Sequence, residues 1–81
     1  MREYNFSYSK NKEKKSGKLK ISKQVFDETK KSYVVDVYCS IDKRSHKIFG
    51  VDEKHSLELA QKFFKERYKN YEIKSKDIKE I

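Results

Sequence analysis

The chain predicts an α+β fold: a small antiparallel sheet of three to four strands with one C-terminal helix packed on a single face. Two patterns carry this reading. Between Ser32 and Gly50, in "SYVVDVYCSIDKRSHKIFG", apolar and polar residues alternate with period two, and the alternation resumes after one basic interruption. From Leu57 to Tyr68 the apolar residues switch to helical spacing. With 81 residues, the chain makes one domain and a thin core, since a chain of this size buries only about 60 % of its unfolded surface. Charged residues make up 42 % of it, close to a disordered composition. Six Tyr and five Phe supply the apolar area that argues for order.

The elements follow in order. Tyr4, Phe6 and Tyr8 alternate with Asn5, Ser7 and Ser9 as a first strand. Lys10–Lys18, "KNKEKKSGK", reads as a charged, glycine-ended loop. A second strand places Leu19, Ile21 and Val25 on one face, with Lys20, Ser22, Gln24 and Phe26 on the other. Asp27–Lys31 has turn chemistry at its acidic end. In the third strand Tyr33, Val35, Val37, Cys39 and Ile41 share a face, opposite Val34, Asp36, Tyr38 and Ser40. The turn Asp42–Ser45 leads to a fourth strand from about His46 to Val51.

Asp52 is a good helix N-cap and Glu53 suits the positive end of the helix dipole, although His55 stands where a full capping box needs Glu or Gln. Leu59, Ala60, Phe63 and Phe64, flanked by Leu57 and Tyr68, form the predicted apolar stripe. Val35, Val37, Leu59, Ala60 and Phe64 are the expected core. Residues 70–81 read as a short strand or a frayed end. One helix covers one face, so the other face of the sheet is left for solvent or a partner.

The net charge of +8 is unevenly spread. Residues 1–49 hold 13 Lys and Arg against 6 Asp and Glu, while residues 50–81 hold 8 against 7. An excess confined to the sheet half points to an anionic partner on one face. Cys39, His46 and His55 lack paired-ligand spacing, so no metal site is expected. No glycine-rich phosphate loop or nucleophile–base set stands out, so the chain reads as a non-enzymatic binding domain that needs no cofactor. A single Cys39 on the apolar side of a strand reads as inert packing in a reducing compartment. With no apolar run long enough to span a bilayer and no apolar signal core, the expected location is cytoplasmic, or nuclear in a eukaryote.

Ile21–Arg67 resembles the AP2-like DNA-binding domains, found in transcription factors, in the arms of tyrosine recombinases and beside phage homing nucleases. The likeness is one of rhythm: an aromatic-led strand, Tyr33–Val37, then a basic turn, Asp42–Arg44. A strand ending in Phe49 and an alanine-bearing helix complete it, and residues 1–18 lie outside it. Tyr33 stands where the family has Trp. The resemblance implies a sheet that reads the major groove of duplex DNA. Its reading face would comprise Lys20, Lys23 and Gln24, then Asp36 and Tyr38, then Lys43, Arg44, His46 and Lys47. The competing expectation is a phage, immunity or host-defence inhibitor that binds an acidic protein partner through exposed Tyr4, Phe6, Tyr8, Phe26 and Tyr38.

Overall fold

Residues 2–81 are described by a computed structural model, in which one antiparallel sheet carries one helix. The strands are β1 (Arg2–Lys10), β2 (Glu13–Ile21), β3 (Val25–Asp27), β4 (Ser32–Cys39), β5 (Arg44–Gly50) and β6 (Lys79–Glu80); the helix is α1 (Glu53–Arg67). β4 is the hub. It pairs with β5 on one edge and with β2 and β3, end to end, on the other; β1 and then β6 continue the sheet.

The segment expected to be a charged loop is a hairpin. β1 and β2 pair residue for residue from Arg2↔Ile21 to Lys10↔Glu13, closed by Asn11 and Lys12 at φ 53° and 66°. Positive φ at both central residues gives a turn whose twist matches the flanking strands. Charge hid the strand, because a ribbon wetted on both faces needs no apolar alternation. Within it, the Phe6 ring covers Gly17, where a Cβ would stand 2.5 Å from the ring. Glycine there is a seat for an aromatic.

The second expected strand is interrupted. Ile21 pairs with Val37, but Val25 pairs with Val34, so Lys23 and Gln24 together oppose Val35. This bulge of one extra residue reverses the faces that follow. Val25 therefore joins Val34 and Phe49 on the helix-free face, 58 % exposed, and Phe26 turns to the helix side against Tyr33. The expectation that Val25 shares a face with Leu19 and Ile21 is corrected accordingly. The Ser22 hydroxyl repairs the ladder by accepting from the Asp36 N–H at 2.8 Å.

The core consists of Phe6, Leu19, Ile21, Val35, Val37 and Cys39 from the sheet, with Ala60, Phe64 and Tyr68 above them. The buried line of α1 is Ser56, Ala60 and Phe64, continued by Tyr68 at its C-cap. Leu59, expected in the core, is half-buried outside this cluster, about 100° round the helix from Ala60. The cause is Gly50, where a Cβ would lie 2.5 Å from the Ser56 nitrogen. The helix backbone comes down onto β5 at a glycine, which places the small side chains at the seam and moves Leu57 and Phe63 to its flanks.

Two bonds fix the start of α1. Asp52 accepts from the His55 N–H at 2.7 Å, and His55 Nδ1 accepts from the Val51 N–H at 3.0 Å. Histidine thus does the reaching back that Glu does in a capping box. After α1, single 3-10 turns at Lys69–Tyr71 and Ser75–Asp77 lead to β6, which pairs Glu80 with Tyr4. Ile73 and Ile78 pack on the core, so the tail is a strand that covers the edge of β1. Among the described residues, no helix is long and apolar enough to cross a membrane.

Candidate nucleic-acid interface

Strand parity and pairing decide which of the expected site residues meet. On the helix-free face Lys20, Tyr38 and Ser45 form one cross-strand row, and Asp36 and Lys47 form the next. Lys20, Ser22, Asp36, Tyr38 and Ser45 line a shallow hollow there. Two ion pairs flank it: Lys47 Nζ lies 3.2 Å from Asp36 Oδ1, and Lys20 Nζ lies 3.5 Å from Glu3 Oε1. Both are surface pairs worth at most about 1 kcal/mol, so either lysine can exchange its carboxylate for another anion. Beyond this row the face ends in Val25, Val34 and Phe49, with the Lys30 ammonium 4.9 Å from the Phe49 ring centre.

The other candidates divide. Lys43, at φ 55°, is exposed in the β4–β5 turn at the end of the face; Arg44 is exposed beside it but pairs with Cys39, on the helix side. Lys23 is exposed on the bulge, beside a hollow it shares with Arg2 and Leu57. Gln24 is turned away from the face, and its amide donates to the Glu53 carbonyl at 3.3 Å, tying the bulge to the start of α1. His46 is also on the other side. It pairs with Val37, and its ring lies 5.0 Å from that of Phe63 beneath the helix. Gln24, His46 and Arg44 therefore leave the expected reading face, the first because of the bulge and the other two because of the β4–β5 register. Phe6 is buried and Tyr4 and Tyr8 pack on the core, so the aromatic patch expected for a protein partner does not assemble.

Asp42 holds the basic turn in place. Its Oδ2 accepts from the Tyr68 hydroxyl at 2.9 Å and from Arg67 at 3.1 Å, while Oδ1 accepts from the Arg44 N–H at 3.2 Å. This ties the turn bearing Lys43 and Arg44 to the C-terminal end of α1. Burial alone would raise the Asp42 pKa, but the hydrogen bonds from Tyr68, Arg67 and Arg44, with the Arg67 charge, together hold it below its ordinary value of 3.8. Burial, with the bond to Asp42, pushes the Tyr68 hydroxyl up. Sequence reasoning read Asp42 only as a turn residue; the signal it missed was an Arg-Tyr pair at the end of an amphipathic helix.

A depressed carboxylate stabilises the fold above its unfolded pKa, and the contribution disappears as pH falls through the folded value. Asp42→Asn should therefore melt lower than the parent at pH 7, by about 1–2 kcal/mol. The gap should close below about pH 3.8. A gap that stays constant in melts from pH 7 to pH 2.5 would show that the carboxylate charge contributes nothing.

Cys39 is buried, and burial pushes its thiol up from the ordinary value. Among the described residues, no three His, Cys, Asp or Glu side chains come together as a metal site. Comparison with protein-family models, curated proteins and solved structures returned no match.

Proposed function

We propose that this chain is a small binding domain that contacts duplex DNA through the helix-free face of its sheet. The observation that carries the reading is the row Lys20, Tyr38 and Ser45 beside Asp36 and Lys47. It is an open, hydrogen-bonding surface across three strands, ended by Lys43 in the β4–β5 turn. Such a surface has what groove readout needs: Tyr and Ser hydroxyls and a carboxylate for base edges, and cations for phosphates. Asp36 is compatible with this role, since a carboxylate accepts from the cytosine amino group. The AP2-like rhythm of Ile21–Arg67 points to the same face.

Charge reversal at Lys43, Arg44 and Lys47 should weaken duplex binding much more than reversal at Lys54, Lys62 and Lys65 on the helix, with melting confirming that both variants fold. Equal losses would indicate diffuse attraction to a basic protein. Selection on random duplexes should return a short motif that Tyr38→Ala weakens at one position. His46→Ala should leave that motif unchanged, because the ring faces Phe63. No motif, together with a captured protein that survives nuclease treatment, would overturn the DNA reading in favour of a protein partner.

A further inference from the structure

The β1–β2 hairpin extends beyond the rest of the sheet. β4 pairs β2 only at Leu19–Ile21, with Lys18 and Ser40 exchanging two further hydrogen bonds at 2.9 Å, and β6 reaches β1 only at Tyr4 and Asn5. Past Tyr8, which rests on Tyr71 at 5.8 Å, the two strands continue alone to the Asn11–Lys12 turn. Residues 10–16 are all exposed, and the molecule is 44 Å long against 21 and 18 Å across. This tip adds nothing to the core.

It carries much of the charge. Lys10–Lys18 holds five lysines and one acid, half of the chain's net +8 in nine residues. The ion pairs of the fold use Lys20, His46, Lys47, Lys54 and Arg67; among the described residues none of these five lysines is paired. On the sheet face itself Lys20 and Lys47 are matched by Glu3 and Asp36, so the densest group of cations without an ion-pair partner lies on the ribbon. Lys14 and Lys18 stand on the same face of β2 as Lys20, with Ser7, Ser9 and Ser16 around them, so ribbon and sheet face share one surface. The β4–β5 turn, with Lys43 and Arg44, lies at the same end of the sheet, since Cys39 pairs with both Leu19 and Arg44.

We propose that the β1–β2 ribbon is a basic arm that enters the major groove of B-form DNA and grips its phosphates through Lys12, Lys14, Lys15 and Lys18. The proposal rests on the duplex-DNA reading above and gives the arm the electrostatic share of it. A two-stranded ribbon fits a groove about 12 Å wide, whereas the major groove of A-form RNA is too deep and narrow to admit it.

The test is a salt series on a 20-base-pair DNA duplex, followed by fluorescence anisotropy. Three proteins are compared with the parent: Lys12, Lys14, Lys15 and Lys18 all changed to Gln, the same four changed to Arg, and Tyr38→Ala with Lys47→Gln. The Gln arm should flatten the log–log salt slope by about 2 to 4, at about 0.9 per phosphate released, while its melting and selected motif stay those of the parent. The Arg arm should keep the parental slope. An unchanged slope for the Gln arm would overturn the proposal, as would parental binding equally tight to an RNA duplex of the same length. A parent that binds no DNA duplex would remove both readings. A Gln arm that loses slope beside a Tyr38/Lys47 variant that binds like the parent would leave the arm standing and remove the sheet face.

Discussion

Truncating Phe64 to Ala should cost about 3–5 kcal/mol, enough to remove much of the stability of a domain this small. Phe64 is 3 % exposed in a core of nine buried apolar residues among those described. Its ring stacks edge-on against Phe6 at 5.3 Å and leans on Tyr68 at 5.3 Å, so it joins the hairpin to the end of the helix. Neither neighbour can refill the space without leaving its own position. Phe6 is held over Gly17, and Tyr68 is bonded to Asp42. Chemical denaturation of parent and variant measures the difference, and a variant melting within a degree or two of the parent would show that the helix face has been misplaced.

Gly50→Ala should cost about 2–3 kcal/mol, at the upper end for overpacking. The new methyl would meet the Ser56 nitrogen at 2.5 Å and its Cα at 2.6 Å, and helix backbone cannot swing aside as a side chain can. The first turns of α1 would have to lift from β5, loosening the seam along Ser56 and Ala60. Gly17→Ala makes the useful comparison. Its 2.5 Å contact is with the Phe6 ring, which can tilt, so its cost should be the smaller of the two. The opposite order in urea titrations would mean that the hairpin, not the helix seam, is the tighter joint.

Legibility in the sequence followed the water. β4 could be read from Tyr33 to Cys39 because one of its faces is dry and the other wet, so its alternation is strict. Lys20, Asp36, Tyr38 and Lys47 could be assigned to the open face for the same reason. The hairpin tip could not be read as strand, since both of its faces are wet. Val25 was misplaced because an apolar residue in phase with Leu19 and Ile21 looks like more of the same strand, and one extra residue between them carries no compositional mark. Ser56 was missed at the centre of the seam because serine reads as polar, while its hydroxyl is satisfied inside the helix by the Glu53 carbonyl at 2.8 Å. His46 was misassigned because its face depends on where the β4–β5 loop ends, and that loop ends at Lys43.

The interruption at Lys23 and Gln24 also constrains how this chain can change length. A strand face is set by whether a residue's position is odd or even, and the segment between Ile21 and Val25 already contains one odd step. Losing one residue there would remove the bulge and leave Val25 opposite Val34 and Phe26 opposite Tyr33, with the faces as they are, although the Ser22 hydroxyl would lose the gap it fills. Losing two would leave too few residues to match the three steps from Val37 to Val34 on β4. Loss of a single residue in this segment should therefore be tolerated better than loss of two, whereas the Asn11–Lys12 tip, paired to nothing beyond itself, is free of that arithmetic.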